Sequence, residues 1–93
     1  MTVWAALPRQ ALLWEQFGDD YLVYNAHSGE THFLNASAAE VLKLLQTGPM
    51  DLHSMLAELQ SVFDTDDEHA LAQHISRVIQ EFDHAGLICP IPI

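Results

Sequence analysis

Six histidines, one cysteine and thirteen acidic side chains are the groups that could do chemistry in this 93-residue chain. The histidines are His27, His32, His53, His69, His74 and His84. No two of them stand at the one-turn spacing that places a pair of metal ligands on one helix face. His69 and His74 are five apart and diverge around a helix, and Cys89 has no cysteine partner. Asp64-Thr65-Asp66-Asp67-Glu68 opens like a calcium loop. That loop needs glycine at its sixth position and an acid at its twelfth, where this chain has His69 and Ile75. Acids just before a helix have a simpler role, capping it and opposing its dipole. There is no nucleophile elbow, Walker loop or dinucleotide fingerprint. Cys89 sits beside a proline in an apolar tail, a poor setting for a thiolate. The expectation is no catalytic residue, no metal, no cofactor and no enzyme activity.

The totals bound the size of the chain and the nature of its surface. The chain is 49% hydrophobic, enough for one compact core over residues 1–93 but not for a large enclosed pocket. Three cations, Arg9, Lys43 and Arg77, stand against the acids, for a net charge of −10. Such a surface repels duplex DNA and anionic membranes. No apolar run reaches the ~20 residues of a membrane span. The N-terminus lacks the pattern of a signal peptide, and a lone cysteine rules out an internal disulfide. A soluble, cytoplasmic protein is expected.

The elements that would position any site follow from periodicity. Ala11 to Phe17, Asp20 to Asn25 and Glu30 to Leu34 read as strands, separated by Gly18-Asp19, a II′-type hairpin signal, and by Ser28-Gly29. From there the period changes to that of a helix. Ser37 with Glu40 forms a capping-box pattern, and Asn35 is a competing cap. Ala38, Val41, Leu42 and Leu45 share a face, and Gly48-Pro49 ends the helix. Asp51 can cap a second helix with Leu52, Met55, Leu56, Leu59 and Phe63 inward. Asp66 or Asp67 can cap a third, which carries Leu71, Ile75, Val78, Ile79 and Phe82 inward and ends at Gly86. In the tail, Pro90 and Pro92 oppose regular strand pairing. The expected fold is α+β: a three-stranded antiparallel meander followed by three helices, winged-helix-like. A DNA-reading version needs a basic recognition helix, and the second and third helices offer only Arg77.

A three-stranded sheet has two edges. Thr31, His32, Phe33 and Leu34 form a β-prone segment with little charge, open to an added strand beside the third helix. Residue pattern alone leaves a second possibility: the tail, or the stretch around Val3-Trp4, covers that edge. A winged-helix regulator, or a structural subunit that docks through the tail, is the alternative function.

The order of landmarks resembles the PqqD family, the pyrroloquinoline quinone biosynthesis protein D group, whose fold is also called the RiPP recognition element. Those landmarks are Tyr21 to Tyr24, His32 to Leu34, Asn35, Ala36-Ser37-Ala38-Ala39, Val41-Leu42, Leu44-Leu45, Gly48, the acidic linker, the long third helix and Gly86-Leu87. Leu42 stands where many members have tryptophan, and the stretch to Gly48 is one residue longer. Within the family, the chain is most similar to members encoded beside a kinase related to HPr kinase. The resemblance implies a non-catalytic peptide chaperone. It would bind the leader of a ribosomally made precursor peptide and present it to a modifying enzyme, such as that kinase. Carried over by position, Thr31, His32, Phe33 and Leu34 would supply the strand edge. Ile75, Val78, Ile79 and Phe82 would form an apolar wall, with some of them facing the core, and His74, Arg77 and Glu81 the rim.

Overall fold

The computed structural model describes residues 2–91. Its elements are β1 (Val3–Ala6), a 3-10 turn (Arg9–Ala11), β2 (Leu12–Phe17), β3 (Asp20–Asn25), β4 (Glu30–Leu34), α1 (Ala36–Thr47), β5 (Met50–Asp51), α2 (Leu52–Val62), α3 (Glu68–Ala85) and β6 (Ile88–Ile91). The meander and the three helices stand as the sequence reading expects, and the architecture is α+β.

The strands form two three-stranded sheets, ordered β2-β3-β4 and β5-β1-β6. The second sheet is a departure from expectation. Its centre is the N-terminal strand, with Trp4 opposite Pro90 and Ala6 opposite Ile88. Pro90 was expected to oppose pairing, and Pro92 lies outside the described residues. β6 is an edge strand, where a proline can turn its missing donor outward.

Local chemistry sets the element ends. Gly18 has φ 58°, as the first central residue of a II′ turn requires, and Phe17 lies opposite Asp20 across that two-residue loop. At the β3–β4 connection, buried Asn25 folds its side chain back on the turn. Its Oδ1 accepts from the backbone of His27 at 2.9 Å and of Ser28 at 3.4 Å. Asn35, not Ser37, caps α1, accepting from Ala38 N at 2.9 Å. Ser37 is already helical, and its hydroxyl donates to Asn35 Oδ1 at 3.2 Å while also meeting a longer-range partner. Asp51 caps α2 through Ser54 N and Asp67 caps α3 through Ala70 N. Gly86, at φ 78°, closes α3 in the left-handed conformation.

One core joins all layers. Leu12, Val23 and Leu34 from the meander meet Val41, Leu42 and Leu45 of α1, Met55 and Leu59 of α2, the apolar stripe of α3, and Leu87 and Ile88.

Candidate peptide-binding edge

Hairpin geometry decides which backbone groups of the meander are spent. In a two-residue hairpin the residues flanking the turn form a hydrogen-bonded pair, and such pairs alternate along the ladder. Phe17 and Asp20 flank the first turn, so the even residues of β3 bond to β2 and the odd ones to β4. The odd residues Tyr21, Val23 and Asn25 lie opposite Leu34, His32 and Glu30. Those three β4 residues therefore bond inward. Thr31 and Phe33 turn their N–H and C=O groups toward the open side. Among the described residues no strand pairs there, because β1 and β6 are occupied with each other and with β5.

Side chains on β4 alternate with the same period. Phe33 is 66% exposed and Leu34 only 6%, with Thr31 outward and His32 half-buried on the inner side. Trp14, Val23 and His32 form one row across that inner face. The two ends of the row, Trp14 Nε1 and His32 Nε2, are buried without a hydrogen-bond partner. Lys43 closes the face nearby, its Nζ donating to Tyr21 Oη at 3.0 Å and lying 4.3 Å from the Tyr21 ring centroid.

The third helix presents a different picture from the one carried over by resemblance. Ile75, Val78, Ile79 and Phe82 are 0–5% exposed and belong to the core. No surface is left on them to make an apolar wall in this state. The proposed rim also divides. His74 Nε2 meets Ser37 Oγ at 2.9 Å and its ring stands edge-on to Phe63. That contact sets the His74 flank of α3 beside the junction of β4 and α1. Glu81, seven residues on, is two turns along the same flank. Arg77 lies about 60° further round, toward solvent. There it lines a surface hollow with His69, Ser76 and Gln80.

Sequence reasoning missed the outer face of the meander. Leu13, Phe17, Tyr24 and Phe33 are all exposed there, and a hollow of about 310 Å³ is lined by Leu13, Glu15, Leu22, Tyr24 and Thr31. The signal was in the period-two pattern: each strand has large apolar residues on both faces, more than one core can bury. Among the described residues no three His, Cys, Asp or Glu side chains gather as a metal site. No helix is long and apolar enough to cross a membrane.

Comparison with known proteins places this arrangement. The family model for coenzyme PQQ synthesis protein D (PqqD) matches residues 20–88. The chain belongs to the PqqD family. That match begins at β3 and ends at the first residue of β6, so the PqqD-family segment contains β4, α1 and α3. A solved structure described as TbiB1 in complex with the TbiA(beta) leader peptide shares the fold. Its TM-score is 0.71 at 12% identity, over 90% of this chain and 93% of that one. No curated protein matches the chain.

Proposed function

We propose that this PqqD-family protein is a RiPP recognition element that binds the leader of a ribosomally made precursor peptide by strand addition at β4. The observation that carries this is the unspent backbone of Thr31 and Phe33, left open while both chain ends pair elsewhere. Family membership supports it, as does the shared fold with a protein solved with a leader peptide bound.

Magnitudes say what else the leader must touch. Four backbone groups, each worth about 1 kcal/mol net once bonded, supply about 4 kcal/mol. A micromolar complex needs about 8 kcal/mol. Side chains must provide the rest, along the inner row at His32 and Leu34, the outer row at Thr31 and Phe33, and the α3 flank at His74 and Glu81. For Ile75, Val78, Ile79 and Phe82 to touch the leader, α3 must first move away from the sheet. Arg77 would act only at the outer rim. The protein itself is non-catalytic and cytoplasmic in this proposal. It hands the leader to a separate modifying enzyme, and a kinase related to HPr kinase is the proposed recipient.

The test is titration of isotope-labelled protein with the leader of the precursor encoded beside it. Amide shifts concentrated at Thr31, Phe33 and the His74 flank are expected. Shifts spread evenly, or none, refute strand addition at this edge.

A further inference from the structure

The charge around the β4 edge specifies what kind of peptide it takes. No Lys or Arg occurs between Arg9 and Lys43, so the whole meander is without a permanent cation, while Glu15, Asp19, Asp20 and Glu30 lie within it. The register distributes these acids around the edge. Glu30 is exposed at the start of β4, on the open strand itself. Tyr21 pairs with Leu34, so the Asp19-Asp20 turn lies at the opposite end of β4. Strands are about 4.8 Å apart, so an added strand passes about 10 Å from β3, about one Debye length from Asp20 at about 0.1 M salt and well within it at lower salt. Glu81 is exposed two turns along α3 from His74, on the same flank. The cations compensate little. Lys43 keeps its charge but sits over Tyr21 and Trp14 on the inner face, toward β2 and away from the open edge, and Arg77 faces the solvent-side hollow of α3. Between the acids lies apolar surface: Phe33, Tyr24 and Leu13 on the outer face, all exposed.

We propose, building on the strand-addition function above, that the segment bound at this edge is cationic. It is an extended peptide in which Lys and Arg outnumber Asp and Glu and alternate with large apolar residues. An acidic strand would set like charges across from Glu30, and each such pairing opposes the added ladder. The same sign disfavours a second copy of this chain as the occupant, since each copy carries a net charge of −10.

The test uses three labelled synthetic peptides of about twelve residues, identical in their apolar alternation, with Lys, Ser or Glu at the remaining positions. Binding is read by fluorescence anisotropy against the whole chain, and the site by amide shifts. The Lys peptide is expected to bind about ten-fold tighter than the Ser peptide, and the Glu peptide more weakly than either. The Lys advantage should shrink several-fold between about 50 and about 500 mM salt. It should also shrink in the double variant Glu30→Lys, Glu81→Lys, and binding should be lost in Phe33→Pro. If the Ser or Glu peptide shifts Thr31 and Phe33 as strongly as the Lys peptide, the charge inference is overturned and strand addition stands. If the Lys peptide binds Phe33→Pro unchanged, attraction does not act through this edge and the inference fails. If no peptide moves those amides, both proposals fall.

Discussion

His32 carries a cost to the stability of β4. Its Nε2 is buried on the inner face with no partner, and an orphaned buried polar atom costs about 1–3 kcal/mol. His32→Leu removes the orphan and keeps the bulk. The variant is expected to be more stable by about 1 kcal/mol, read as a raised urea midpoint. A lowered midpoint would mean that the imidazole is satisfied in solution. Asp51 gives a second residue-scale prediction. The Ser54 backbone N–H, then the Ser54 hydroxyl, hold its carboxyl below the ordinary 3.8. A group with a depressed folded-state pKa stabilises the fold above its unfolded value and loses that contribution as pH falls through the folded one. Asp51→Asn keeps the cap acceptor but removes the titration. Its melting temperature should therefore fall less than that of the native protein between about pH 4 and about pH 2. Parallel melting curves for the two proteins would overturn this assignment.

At the scale of elements, β4 has two kinds of backbone. His32 spends its N–H on β3, whereas Phe33 sends its own to the open side. Proline should therefore be disruptive at one position and silent at its neighbour. His32→Pro is expected to lose about 3 kcal/mol or more, by breaking a ladder bond. Phe33→Pro should keep the native circular dichroism and melt, and fail only in leader titration. Equal destabilisation by the two would show that the ladder parity is the reverse. The elements were largely legible in the sequence because their signals are local: II′ turn chemistry at Gly18-Asp19, caps at Asp51 and Asp67, and a period of 3.6 in α3. Asn35 beat Ser37 as the α1 cap because the helix begins two residues earlier than the apolar period suggests. The site was less legible. The stripe Ile75, Val78, Ile79 and Phe82 identifies a buried helix face, but whether its cover is the protein's own sheet or a visiting peptide depends on packing. Here the cover is the core.

The whole molecule is closed by its ends. β1 and β6 are four-residue strands with no local partner, and their pairing joins opposite ends of the chain. Nothing in a short window of sequence announces such a contact, which is why the second sheet was missed while the meander was not. The pairing also resolves the question left open by sequence, because the N-terminal stretch and the tail satisfy each other rather than β4. Leu87, 1% exposed, anchors the closure, and its C=O accepts from Leu7 N at 3.2 Å. Leu87→Ala is expected to cost about 2–5 kcal/mol, measured by chemical denaturation. A change smaller than about 1 kcal/mol would mean that the closure contributes little to the fold.

Because Val3 lies directly across from Ile91, the polypeptide nearly forms a loop. A short Gly-Ser bridge could join the two positions, and fresh termini could be cut into the exposed acidic connection between α2 and α3. A permutant of that kind would leave the meander's hairpins untouched. The same adjacency would let the domain be spliced into a surface loop of another protein, entering and leaving at nearly one point.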